Sequence, residues 1–178
     1  METALAFETG IVDYSVHRLE LADAPALQQL LEKSADYALL VEGEYPSPTA
    51  AQEVFTAGPP DKSLDDKFVF GFIDCQKAVV GLLEGMRDYP TPATWWIGLF
   101  LLAPEIRGHG IGRRLLGSFL KYAASHGATA VMLGVVEENS RARQFWQRSG
   151  FEFVRKTEPR QFGQKMQAVY VLRQGIHR

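Results

Sequence analysis

One short stretch of this chain combines residue types in a spacing suited to binding a multiply charged anion. It runs Arg107-Gly108-His109-Gly110-Ile111-Gly112, with Arg113 and Arg114 directly behind it. Glycines allow positive φ and let main-chain amides approach a bulky group closely. Ahead of a helix they open onto N–H groups that have no partner within the helix, where the helix dipole adds partial positive charge. With the arginines around it, the turn reads as a cradle for phosphate, and by its extent for a diphosphate. The glycines alone also fit a plain turn. The spacing is not that of a Walker A loop, which needs Gly-Lys-Ser/Thr after four residues. Nor is it a Rossmann fingerprint, because it reads G-x-G-x-G and the stretch around Val131 to Leu133 is apolar. His109 contributes its backbone amide to such a cradle; a lone histidine carries little catalytic weight.

The elements that must hold this turn flank it. Before it, Trp95 to Leu102 is an apolar strand, closed by Ala103-Pro104, and proline lacks the N–H that strand pairing needs. After it, Ile111, Leu115, Phe119 and Tyr122 recur at spacings of four, four and three, one face of a helix that ends at His126 and Gly127. Upstream, Tyr14 to Leu19 reads as a strand. Asp23 and Pro25 open a helix whose stripe is Leu27, Leu30 and Leu31, up to Ser34. A second helix starts at Ser47-Pro48, turns Ala51, Val54 and Phe55 inward, and stops before Gly58. Residues 58–67 read as a linker, and Phe68 to Asp74 with Ala78 to Arg87 as a hairpin across Cys75-Gln76-Lys77. Downstream, Ala128 to Val136 is a β-branched run that suits a buried strand. A short helix capped by Asn139 or Ser140 ends at Gly150. Phe151 to Lys156 and Lys165 to Leu172 follow as strands joined by a polar loop. Residues 1–10 read as a loose arm. The mixture indicates one α/β domain over residues 1–178.

Two further candidates lie outside the turn. Glu84 stands in the otherwise apolar run Val79 to Met86, beside the strand at Trp95 if the hairpin reading holds. A carboxylate in apolar surroundings has a raised pKa, which suits it to proton abstraction, while a Glu on the wet face of an edge strand is the plainer alternative. Residues 35–46 carry Asp36, Tyr37, Glu42, Glu44 and Tyr45. They read either as a solvated loop or as an acidic, aromatic-edged wall that would favour a cationic amine.

Composition narrows the function classes. A net charge of −2 offers no global attraction to nucleic acid or an anionic membrane surface. No apolar run approaches the ~20 residues of a membrane span, and the N-terminus, with Glu2 and Glu8, lacks a signal-peptide pattern. The single cysteine, Cys75, excludes an internal disulfide and fits a cytoplasmic protein. No cluster of metal-ligand spacing is evident, so no metal is expected.

The turn and its helix resemble the GNAT superfamily of acyl-CoA-dependent N-acetyltransferases, whose phosphate loop is [Arg/Gln]-x-x-Gly-x-[Gly/Ala], matched by Arg107, Gly110 and Gly112. A second segment, Glu138-Asn139-Ser140-Arg141-Ala142-Arg143-Gln144-Phe145-Trp146-Gln147-Arg148-Ser149-Gly150-Phe151, is similar to the family's Glu-Asn-x-x-Ala…Gly-Phe segment. The two occur in the family's order, and element order extends the resemblance over most of the chain.

The resemblance implies a mixed, mostly antiparallel twisted sheet of about six to seven strands flanked by about four helices, splayed at a central parallel pair. It implies acetyl-CoA as co-substrate, lying in that opening. The pantetheine arm would bond to backbone near Leu101 and Leu102. The diphosphate would sit on the amides of Gly108, His109, Gly110, Ile111 and Gly112, with Arg107 and Arg113 beside it. Asn139 would contact pantetheine or only cap its helix, and Arg143 would reach a CoA phosphate or remain an exposed charge. The partners implied are an acyl-CoA and an amine acceptor, with a possible homodimer formed through the final strands and Trp95. The chain departs from the family twice. The central-strand acid expected near Gly98 or Leu99 is absent, and Trp146 stands where many members have a tyrosine acid. An indole N–H donates a hydrogen bond but is no useful proton donor, so Trp146 reads as a pocket wall or a core anchor. Glu84 becomes the substitute base. A non-catalytic acyl-CoA sensor is the alternative to an N-acetyltransferase.

Overall fold

A computed structural model describes residues 5–176. In chain order the elements are β1 (Leu5–Phe7), β2 (Tyr14–Arg18), α1 (Ala24–Lys33), α2 (Ala35–Val41), α3 (Ala50–Thr56), β3 (Lys67–Asp74), β4 (Val79–Met86), β5 (Thr94–Leu102), α4 (Ile111–Ser125), β6 (Ala130–Val136), α5 (Ser140–Arg148), β7 (Glu152–Lys156), β8 (Arg160–Phe162), β9 (Lys165–Gln167) and β10 (Val169–Gly175). Eight strands form one sheet in the order β1-β2-β3-β4-β5-β6-β10-β7, and β8 and β9 form a separate hairpin. Every pairing in the sheet is antiparallel except β5 with β6. The expected architecture is present, with a sheet slightly wider than expected and one more helix.

The sheet centre is apolar at nearly every position because helices cover both its faces. Residues Lys67 to Ile73 of β3 are all buried, as are all residues of β4 except Glu84. Strands buried on both sides lose the alternation that marks a half-exposed strand. Against one face α4 buries Leu115, Leu116, Phe119 and Ala123. Phe119 meets the rings of Phe68 and Trp95 at 5.5 and 6.0 Å. α1 buries Leu27, Leu30 and Leu31 and packs on β4 and α3.

Several expectations are corrected here. Residues 5–7 are not a loose arm: they pair with β2, and Phe7 sits 5.5 Å from Phe70 and 5.0 Å from Tyr122. Burial of that ring offsets the entropy of ordering the segment; residues 1–4 lie outside the described residues. Residues 35–41 are the helix α2, with Tyr37, Leu40 and Val41 at helical spacing on one face. Lys67 is the buried first residue of β3 and not the end of a linker. The last expected strand is broken at Ala168: β9 pairs with β8 outside the main sheet, and β10 continues beside β6. Trp95 is 2% exposed, filling the core beneath α4, so it is not available to a second subunit.

Candidate active site

The parallel pair β5 and β6 is bonded from Thr94 with Ala130 to Ile97 with Leu133, and the pairing stops there. Beyond it both strands continue, β5 to Leu102 and β6 to Val136. The physical cause lies on the other side of β5. Glu84 pairs with Leu99 and Gly85 with Ile97, so Gly98 is an extra residue, a bulge. A bulge bends its strand and increases the local twist, and here it swings the end of β5 away from β6. The resulting cleft, of about 780 Å³, is lined by both strands, by Gly108, Gly110 and Gly112, by α2, by one face of α5 and by the β8–β9 hairpin.

At one end lies the glycine turn. Gly108 and Gly110 have φ of +84° and +77°, and a Cβ at either would meet nothing within 4 Å, so the main chain is bare. Gly110 is the N-cap of α4 and supplies no side-chain cap, which leaves the first-turn amides open to an anion. Arg113 lines this end, whereas His109 and Ile111 do not. A diphosphate fits this cradle by charge and by the space the glycines leave.

The residues expected to assist it are placed unequally. Arg107 lines the cleft, but its guanidinium is engaged. Nε donates to the Leu102 carbonyl at 2.7 Å, Nη2 to Asp36 Oδ1 at 3.2 Å, and Nη1 to Asp36 Oδ2. The arginine lowers the Asp36 pKa and clamps α2 to the end of β5. Leu101 and Leu102 line the cleft, and the Leu102 carbonyl accepts one hydrogen bond from this clamp. Asn139 lines the cleft and also caps α5, its Oδ1 accepting from Ala142 N at 3.0 Å. Arg143 faces away: its guanidinium lies 4.6 Å above the Tyr170 ring. Residues two apart on a helix point about 200° apart, so Arg141, and not Arg143, faces the cleft. Trp146 is 6% exposed and lines the cleft wall. It packs edge-on against Phe151 at 5.0 Å, so wall and core anchor are the same side chain.

Glu84 stands behind Gly98 at the fork and is not itself part of the cleft lining. A Cβ built on Gly98 would collide with Glu84 Oε1, so the carboxylate fills the space where a side chain on the bulged residue would stand. β5 itself carries no acid at this position, and the carboxylate beside Gly98 comes from the neighbouring strand β4. Glu84 is 15% exposed, and its Oε2 accepts from Lys67 Nζ at 2.8 Å. Burial pushes its pKa up, and Lys67 opposes that only in part. Tyr37 lines the cleft and is half-buried, its phenol pushed up to about 12 by burial and then by the Glu42 and Glu84 carboxylates.

Sequence reasoning missed Gly98 as the hinge of the splay, Lys67 as the partner of Glu84, and Arg160 and Phe162 as lining; all of these depend on cross-strand register. Of the expected acidic, aromatic-edged wall, Asp36 and Tyr37 line the cleft. Glu42 and Glu44 are exposed and pack against the β8–β9 turn at Gly163, outside the cleft lining. Among the described residues there is no group of three or more His, Cys, Asp or Glu placed to hold a metal, and no helix is long and apolar enough to cross a membrane.

Comparison with known proteins agrees with this geometry. The family model described as Acetyltransferase (GNAT) family matches residues 27–151. No curated protein sequence matches. An acetyltransferase from Thermus thermophilus is 23% identical with a TM-score of 0.70, over 90% of this chain and 97% of that one. Spermidine N-acetyltransferase from Vibrio cholerae, solved with CoA and spermine, is 21% identical with a TM-score of 0.72, over 93% and 97%. An acetyl transferase from Salmonella typhimurium that modifies the N-terminal serine of ribosomal protein L7/L12 is 15% identical with a TM-score of 0.76, over 96% and 99%. At these identities the structural likeness concerns the fold.

Proposed function

The chain belongs to the acetyltransferase (GNAT) family, and from that premise we propose direct transfer of an acetyl group from acetyl-CoA to a primary amine, with Glu84 as the base. When bound, acetyl-CoA supplies a thioester whose carbonyl carbon an amine can attack. The turn Gly108 to Gly112 and Arg113 would hold its diphosphate, and Asn139 and Arg141 would border the rest of the carrier. An amine is a nucleophile only once it has lost its proton, so the site needs a proton acceptor at the fork. Glu84 meets that need, directly or across one water, because its carboxylate lies at Gly98 and its raised pKa moves it toward working pH. Lys67 keeps the carboxylate oriented. Trp146 excludes water from the wall. Tyr37 remains a neutral phenol at ordinary pH and is the cleft's hydroxyl donor with a ring.

The observation that carries this reading is the Glu84 carboxylate standing in the side-chain space of Gly98, at the point where β5 and β6 part. The test is Glu84→Gln, assayed by release of free thiol from acetyl-CoA over a panel of amines. A loss of roughly 10²–10⁴-fold in kcat/KM is expected, the usual contribution of a general base, with the thermal shift on CoA binding retained. An unchanged rate and an unchanged pH profile would remove Glu84 from the role.

A further inference from the structure

The end of the cleft opposite the glycine turn has a chemistry that none of the preceding observations assigns. Its wall is built from Tyr37, Leu40 and Val41 of α2, Trp96 of β5, and Phe162 and Arg160 of β8. Phe162 and Tyr37 pack on the buried cluster Val41, Val136 and Val169. The hairpin that carries Arg160 is fixed to α2 and does not hang free. The buried Gln167 amide donates to the Leu40 and Val41 carbonyls at 3.1 and 2.7 Å, and Gln164 N donates to the Glu42 carbonyl at 2.6 Å. Arg160 lies flat on Phe162, its guanidinium carbon 4.8 Å from the ring centroid, and it has no carboxylate partner among the described residues. The charge balance is one-sided. The lining carries five arginines, Arg107, Arg113, Arg141, Arg148 and Arg160, against one acid, Asp36, which Arg107 already holds. Glu84, behind Gly98, is bonded to Lys67.

An acceptor with several ammonium groups would find no carboxylate here to receive its second charge. An acceptor with an apolar body would bury it against Phe162 and Trp96, and an anionic group on that body would meet a guanidinium whose fork matches a carboxylate. We propose that the acceptor is a small amine bearing an apolar side group and a carboxylate, an α-amino acid in chemical class, and that Arg160 is the residue that reads the carboxylate. This rests on the N-acetyltransferase reading above and specifies its second substrate.

The experiment has a turnover arm and a binding arm. Phenylalanine, phenylalaninamide, phenethylamine and spermidine are compared as acceptors by thiol release, and N-acetylphenylalanine is titrated calorimetrically into the CoA-saturated protein. Phenylalanine is expected to exceed phenethylamine and phenylalaninamide at least ten-fold in kcat/KM. Arg160→Gln should erase that preference, and Arg160→Lys should restore part of it. The same substitution should weaken N-acetylphenylalanine binding at least ten-fold. Preference for spermidine, equal use of phenethylamine, or binding indifferent to Arg160→Gln overturns the proposal. Absence of turnover with every amine, together with Arg160-dependent binding, would count against Glu84 chemistry and leave the acceptor assignment supported. Absence of both turnover and binding overturns the assignment.

Discussion

Replacing Lys67 by methionine gives the sharpest test of how Glu84 is tuned. The ammonium lies 2.8 Å from Glu84 Oε2, and the side chains are 9% and 15% exposed. With the 2.8 Å separation and an effective dielectric constant of about 20, Coulomb's law gives roughly 6 kcal/mol of attraction. That figure is a ceiling, reached only if nothing relaxes. The direction is fixed: Lys67 opposes the upward push of burial, so removing it raises the Glu84 pKa further. The acid limb of the pH–kcat/KM profile should move to higher pH in Lys67→Met and stay in place in Lys67→Arg. The acceptor amine's own ionisation is common to all variants and drops out of the comparison. Stability follows the same linkage. The folded-state pKa of Glu84 lies above the unfolded value of 4.5, so the native state holds the proton more tightly. The stability this group contributes is therefore present in full below 4.5 and is lost as pH rises through the folded pKa. Lys67→Met widens that window upward, so its Tm deficit relative to wild type should grow with pH. An active Lys67→Met protein whose acid limb coincides with wild type would refute the assignment of Glu84 as the titrating base.

Gly98→Ala should lower kcat by more than ten-fold with a smaller change in KM, because the added methyl occupies the place of the Glu84 carboxylate; steady-state kinetics at saturating acetyl-CoA reads this. Arg141→Ala should raise the KM for acetyl-CoA several-fold. Arg143→Ala should leave that KM unchanged and cost about 0.5–1 kcal/mol in urea unfolding, the worth of an exposed stack on Tyr170. Gln167→Ala should destabilise by roughly 3 kcal/mol, because it strips donors from the Leu40 and Val41 carbonyls and an acceptor from Glu138 N. It should also raise acceptor KM, since the hairpin bearing Arg160 is anchored by that side chain.

The chemistry legible in the chain was of the kind that main-chain conformation decides. Gly108, Gly110 and Gly112 before an amphipathic run specify a bare helix N-terminus, whatever else the fold does. The Leu115 and Phe119 stripe, the Asn139 cap and the apolar strands are likewise local, because helix and strand periods are written in nearest neighbours. What only the tertiary structure decided are the properties that depend on register between distant strands. Glu84 was recognisable as an odd charge in an apolar run, but its place under Gly98 follows from a bulge set by how β4 meets β5. Its partner Lys67 is 17 residues away, and it faces Glu84 only because β3 and β4 pair as they do. That Arg107 pairs with Asp36, 71 residues earlier, is likewise set by how α2 packs against the end of β5. Arg143 and Arg141 were indistinguishable as charges, and the rotation of α5 against the sheet separated them. Local sequence fixes backbone shape through short-range sterics and hydrogen bonding, whereas the ionisation and pairing of a side chain are set by whichever distant groups the packed sheet brings within a few ångströms of it.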